Sequence, residues 1–197
     1  ARINIDEIKN RCTKTKDKKE VYASFKEVGL EYGASFQAIQ KLYYNENEAI
    51  TYLKLPAYLK DDFKEFTLHP SLMDSALQTI IGFMQGSESP ELLLPFSLGS
   101  VEIINPLTDK CFAYVKTRKT GAVQTFDIRI VDLSGNVLVN MNEFSVHVYH
   151  DATELDIVTH HKYDYIADLF QKLENGEESR DEVHQYINAI NMMSDNQ

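Results

Sequence analysis

The sequence predicts an α+β domain in which a curved antiparallel sheet wraps one long buried helix. Three observations carry this. The segment from Pro70 to about Gln85 is apolar around most of its circumference, with Met73, Leu77, Ile80, Ile81 and Met84 at helical spacing, as a helix enclosed by a sheet requires. Two strand patterns precede it, and everything from residue 91 to His150 reads as further strands. Pro70 suits the first helical turn, where its missing N–H would have no partner in any case.

The elements follow in order. Residues 1–20 are polar and Lys-rich, with Ile3, Ile5 and Ile8 as their main apolar positions, and are expected to form a connector with at most a short helical turn. Val21, Tyr22, Phe25 and Val28 then mark one side of a helix that Gly29 should stop. The strands Ile39 to Tyr44 and Ala49 to Leu55 flank the turn Asn45-Glu46-Asn47, and Pro56 ends the second. Past the buried helix and a loop over residues 86–90, strands are expected at Pro95 to Ile104, Cys111 to Lys119, Val123 to Leu133 and Val137 to Tyr149. Phe126, Ile128 and Ile130 alternate with Thr125, Asp127 and Arg129, the mark of a strand with one wet face. Ser134-Gly135-Asn136 supplies a hairpin turn, and a slip in the apolar phase between Met141 and Phe144 predicts a bulge. Strands, one buried helix, then a run of antiparallel strands describe the shape called a hotdog. The expected division is a linker over residues 1–20, the hotdog over 21–150 and a helical segment over 151–197, carried there by Ile157, Tyr165, Ile166, Leu169, Phe170 and Leu173 and, past Asn175-Gly176, by Val183, Tyr186, Ile187 and Ile190.

Composition narrows the function. The 197 residues suffice for one domain with a sizeable core. A hydrophobic fraction of 43% with 25% charged residues reads as globular and soluble. No apolar run approaches the ~18 residues needed to cross a bilayer, and the start has no signal-peptide core. The chain opens on Ala1 and not Met, which is expected of a piece of a longer polypeptide. A formal net charge of −10 argues against nucleic acid and anionic membranes as partners. The basic run Lys14 to Lys19 is expected to be a solvated linker, and Cys12 and Cys111 two reduced thiols of a cytoplasmic protein.

Asp74 and Gln78 stand four residues apart, on one face of the buried helix. A carboxylate there must be paired, hydrogen-bonded or functional. It is either a structural Asp bonded to nearby backbone or, with its pKa raised by desolvation, a general acid that Gln78 orients. His69, just before the helix, is either a structural hydrogen-bonder or a base. His147, His150, His160 and His161 read as surface or interface residues. No His, Cys and acidic set has metal spacing, and there is neither a nucleophile elbow nor a Gly-rich phosphate loop.

Leu68-His69-Pro70-x-x-x-Asp74-x-x-x-Gln78 resembles the helix motif in the second hotdog of polyketide synthase dehydratases. Gly29-Leu30-x-Tyr32-Gly33-x-x-Phe36-Gln37 resembles the segment that opens that half, with Ala34 where the family often has Pro, and Leu94-Pro95-Phe96-Ser97 resembles the strand after the helix. The matches run in the family's order over roughly residues 20 to 150. The resemblance implies loss of water from a 3-hydroxyacyl chain carried on the phosphopantetheine arm of an acyl carrier protein, with no cofactor bound directly. Asp74 and Gln78 would be catalytic, and His69, Pro70, Tyr32, Gly33 and Phe36 would bind substrate or support the site. The family's catalytic His comes from a His-x-x-x-Gly-x-x-x-x-Pro motif in the first hotdog, and no such string occurs in these 197 residues. Relatives that only shift double bonds often carry Asn in place of Asp74. Leu169-Phe170-x-x-Leu173-Glu174-Asn175-Gly176-Glu177 resembles linkers of assembly lines with a free-standing acyltransferase, as a docking pair or a plain amphipathic linker.

Three readings follow. The chain is half of an active site, silent without the first hotdog; or a non-catalytic hotdog kept for docking among neighbouring synthase domains; or an independent hydratase or thioesterase dimer with His69 as base. The first predicts an exposed apolar flank, the second a flank covered by residues 151 to 190.

Overall fold

The computed structural model describes residues 2–83, 92–120 and 123–149. Chain contacts divide the protein into two units, Ala1–His150 and Asp151–Gln197. The expected helical segment over 151–197, with His160 and His161, lies outside the described residues, as do His150, the 86–90 loop and the helix end at Met84 and Gln85.

The described helices are α1 (Ile5–Arg11), α2 (Lys18–Glu27) and α3 (Pro70–Leu77). The strands are β1 (Lys14–Asp17), β2 (Ile39–Tyr44), β3 (Glu48–Lys54), β4 (Leu92–Ile103), β5 (Lys110–Lys119), β6 (Val123–Val131) and β7 (Val137–Tyr149). They form one antiparallel sheet in the order β1-β2-β3-β5-β6-β7-β4. Its concave face holds the main core, where Leu72, Ala76, Ile80 and Ile81 pack among Leu42, Leu53, Val115, Phe126, Ile128 and Met141. The sheet wraps the helix as the patterning predicts.

The central helix is shorter in its α form than its apolar run suggests. After Leu77 it tightens to a 3-10 helix over Gln78–Phe83. Thr79, Ile80 and Ile81 are consecutive β-branched residues followed by Gly82, a poor continuation of an α-helix. At Gly82 a Cβ would stand 3.0 Å from that of Tyr44 and 3.3 Å from that of Ala49, so the missing side chain lets the helix end lie directly on β2 and β3.

Residues 1–20 are not the connector that their polarity suggests. Lys14–Asp17 pairs with Lys41–Tyr44 as the outer strand β1, and Lys18 already begins α2. Asp17 and Glu20 cap that helix reciprocally, the Glu20 N–H donating to Asp17 Oδ1 at 2.9 Å and the Asp17 N–H to Glu20 Oε2 at 2.7 Å. A charged edge strand has no apolar alternation to betray it, and its Lys residues guard the sheet edge. Before it, α1 lies on the convex face and buries Ile5 and Ile8 against Ile50, Phe112, Val131 and Val137. Each burial is worth about 2 kcal/mol. Gly29, with φ of +83°, ends α2 where expected, and the Leu30 N–H returns to the Phe25 carbonyl at 2.9 Å.

The bulge expected in β7 is present. Phe126 faces Phe144 and Ile128 faces Met141, so β7 spends one residue more than β6. Glu143 takes up the excess at φ of +57°, its N–H donating to Asp127 Oδ1 at 3.1 Å.

At the other edge, β4 leaves the core open. Leu98, Val101 and Ile103 face Phe144, Met141 and Val139, which are all core residues, yet they are 40%, 43% and 49% exposed. The apolar lining of the concave face thus continues past the helix that covers the rest of it.

Candidate active site

Asp74 is presented by the middle of α3, whose start is fixed by two residues. Pro70 occupies the first turn, and His69 caps it, its Nδ1 accepting the Ser71 N–H at 3.3 Å. The His69 ring is buried, stacked on Phe63 and edge-on to Phe66. Burial lowers its pKa, which favours the neutral ring that such capping needs. His69 and Pro70 therefore act on the helix start. Neither lines the cleft at Asp74.

That cleft, about 30 Å³, is lined by Asp74 and Gln78 with Phe25, Leu30, Tyr32, Leu77, Ile80, Leu93, Pro95 and Phe144. It is apolar apart from the two polar side chains and the Tyr32 phenol. Asp74 is half-buried there, and desolvation raises its carboxyl pKa, against which the Gln78 amide pulls down. Gln78 Nε2 donates to Asp74 Oδ2 at 2.6 Å and to the Phe36 carbonyl at 2.9 Å. A half-desolvated carboxyl with one oxygen held, and the other without a donor among the described residues, can store a proton and release it to a leaving group.

The expected site residues contribute unequally. Tyr32 stands in the cleft wall, its ring edge-on to Phe25 at 4.9 Å, and burial with the nearby Asp74 charge pushes its phenol up to about 12. Phe36 contributes its backbone carbonyl, while its side chain is 40% exposed. Gly33 has a negative φ of −67° and open space where a Cβ would stand, so nothing in the backbone here demands glycine. The pattern of α2 marks Tyr22 only as an apolar helix position, but its hydroxyl donates to Gln78 Oε1 at 3.1 Å. The one signal for this is a tyrosine in an apolar stripe, whose hydroxyl needs a partner once buried.

Among the described residues no group of three His, Cys, Asp or Glu could hold a metal ion, and no helix is long and apolar enough to cross a membrane. Cys12 and Cys111 are free, buried thiols.

Comparison with known proteins gives this geometry its context. The family model of the polyketide synthase dehydratase N-terminal domain matches residues 3–156. The chain belongs to the polyketide synthase dehydratase family. Polyketide synthase PksM of Bacillus subtilis is 34% identical over 154 residues, 73% of this chain and 4% of that very long polypeptide. The crystal structure of a trans-AT polyketide synthase dehydratase domain from Brevibacillus brevis superimposes with a TM-score of 0.70 at 31% identity, covering 76% of this chain and 54% of that one. The CurK dehydratase, in a form described as an inactive mutant with Asn in place of one Asp, gives a TM-score of 0.68 at 25% identity over 76% of this chain and 53% of its own. The chain thus spans about half of a solved dehydratase domain and a small part of a synthase, so neighbouring synthase domains surround such a dehydratase in its relatives. The sheet curved around α3 is the hotdog of these dehydratases.

Proposed function

We propose that this chain is the second hotdog half of a polyketide synthase dehydratase, holding the acid of a dyad whose base comes from a first half. The observation that carries the reading is Asp74, half-desolvated on α3, held by Gln78 at 2.6 Å, in a cleft with no histidine among the described residues of its wall. In the reaction, a histidine of the first half takes the C2 proton of a 3-hydroxyacyl thioester. Asp74 gives its proton to the C3 hydroxyl as the C3–O bond breaks, so that an alkene and one water form.

Several features support this division. The cleft at Asp74 has room for about one water, too little for an acyl chain, so a facing wall must come from elsewhere. The open flank of β4 offers apolar side chains for such a wall to cover. The inactive CurK dehydratase carries its change at an Asp, and the Brevibacillus brevis relative belongs to a trans-AT synthase, which is the type of assembly line inferred for this chain. The matching family model is described as the N-terminal domain; the assignment to the second half rests instead on the Asp74 and Gln78 helix motif and on the lack of a His-x-x-x-Gly-x-x-x-x-Pro string. The substrate would arrive on the phosphopantetheine arm of an acyl carrier protein, with no cofactor on this chain. An independent enzyme with His69 as base draws no support from a ring engaged by Ser71, Phe63 and Phe66.

Mass spectrometry of a carrier protein loaded with a 3-hydroxyacyl chain tests the proposal. Incubated with this chain alone it should lose nothing; with a first-half hotdog added it should lose one water, and Asp74→Asn should abolish that loss. Water loss with this chain alone would overturn the divided site. No loss with any first half would favour the docking role.

A further inference from the structure

The Gln78 amide is held from both ends. Both Nε2 hydrogens are used, one on Asp74 Oδ2 and one on the Phe36 carbonyl, and Oε1 accepts from the Tyr22 hydroxyl at 3.1 Å. Turned over, the amide would set its oxygen against a carboxyl and a carbonyl, which are both acceptors when the acid is ionised. Tyr22 is in turn fixed by the backbone. The Ile39 N–H donates to its oxygen at 3.2 Å, so the phenolic hydrogen must point elsewhere. It can go to Gln78, to the Phe36 carbonyl at 3.3 Å, which already accepts from Gln78, or to the Ser75 hydroxyl, which also hydrogen-bonds Tyr22. The ring is packed between Phe25 and Tyr32, each 6.2 Å away between centroids.

We infer that Tyr22 is a positioning residue for the acid: by fixing the Gln78 amide it commits Asp74 Oδ2 to accepting a hydrogen bond and so confines the acidic proton to Oδ1. This rests on the reading of Asp74 as the general acid. The proton then leaves from Oδ1, the oxygen without a donor among the described residues, to the departing hydroxyl. The negative charge left on the carboxylate is met at once by the Gln78 N–H already aimed at Oδ2. Burial raises the Tyr22 phenol far above neutral pH, so it stays a donor wherever the acid works. Tyr22 is not among the residues that line the cleft at Asp74, and its hydrogen bond to the acid's partner runs through the Gln78 amide.

The test is the titration of Asp74 in this chain, followed by the carbon chemical shift of its labelled carboxyl. The Gln78 hydrogen bond holds the Asp74 pKa down, so loosening the amide must raise it. Tyr22→Phe, which keeps the ring, should raise the Asp74 midpoint by about half a pH unit, the size of a weakened neutral hydrogen bond. Added to Gln78→Ala, the same substitution should raise it no further. A midpoint unmoved by Tyr22→Phe, or moved as much without Gln78 as with it, would overturn the inference. Should either variant fail to fold, a fluorotyrosine at position 22 has nearly the same volume and is a stronger donor. It should lower the midpoint, and no change there would count equally against the role. The titration needs no substrate. If it behaves as expected while a completed dehydratase releases no water, the network stands and the dehydratase reading falls. If water is released while the Asp74 midpoint stays unmoved, the dehydratase reading stands and the role of Tyr22 falls.

Discussion

Leu98 and Phe144 face each other across the β4–β7 ladder, yet Phe144 is 3% exposed and Leu98 40%. Two side chains at one level of one sheet face should share one environment. They do not, because the helix that covers Phe144 does not reach Leu98. With Val101 and Ile103 beside it, Leu98 forms an apolar strip on the last described strand of the sheet. Such a strip invites association, and β4, an edge strand among the described residues, adds main-chain hydrogen-bonding capacity. The chain is expected to bind an apolar dye or to self-associate in light scattering. Leu98→Lys together with Ile103→Lys should suppress both with little change in melting temperature, since neither residue loses core contacts. A clean monomer that ignores the dye would rule out an open flank.

Asp74 should weaken the fold that it serves. Its pKa is raised on folding, so the folded state holds its proton more tightly than the unfolded chain does. The sign follows: stability falls as pH rises from the ordinary aspartate value of 3.8 through the raised folded value, and stays low above it. Asp74→Asn, which cannot ionise, is expected to melt higher than the parent at pH 7. The advantage should vanish below pH 3.8. Melting curves across pH 3 to 8 read the crossover, and a variant less stable at pH 7 would show that the carboxylate is paired after all.

Glu48 predicts the opposite slope. It is buried on β3, where Arg11 donates to both its oxygens at 2.7 and 2.9 Å and the Tyr114 hydroxyl donates at 2.8 Å. Those bonds lower its pKa, so their stabilisation is present above the ordinary value of 4.5 and is lost as pH falls through the folded value. Glu48→Gln should lower the melting temperature at pH 7 by roughly 2–8 °C, as losing a charge-assisted hydrogen bond would. The deficit should close in acid. It would also loosen α1, which Arg11 ties to the sheet, and faster amide exchange at Ile8 and Cys12 would show it.

At Gly82 the helix end lies close against the sheet. Gly82→Ala places a methyl 3.0 Å from the Tyr44 Cβ and 3.3 Å from that of Ala49, both on strands that cannot easily retreat. Overpacking of this kind costs about 1–3 kcal/mol. Urea unfolding should show it as a lower midpoint at unchanged slope. A neutral substitution would mean that the 3-10 segment shifts to make room.

Sequence alone determined the fold class, because the chain's periodicities are local facts. Ile39 to Tyr44 and Val137 to Tyr149 stand as strands with the bounds that their patterns give, and even the bulge at Glu143 is written as a slipped phase. The four-residue spacing of Asp74 and Gln78 likewise puts them on one helix face whatever surrounds them. Tertiary structure decided the rest. Lys14–Asp17 is a strand only because β2 offers it a ladder, which no local pattern of charged residues announces. Leu92 to Leu94 extend β4 although their unbroken apolar run shows no alternation. His69 is settled as a helix cap by where its ring lands among Phe63, Phe66 and Ser71. Tyr22 reaches Gln78 across 56 residues of chain, a meeting set by how α2 packs beside α3. Periodicity records which side of an element avoids water, whereas a proton's affinity for Asp74 depends on which distant side chains desolvate it and donate to it.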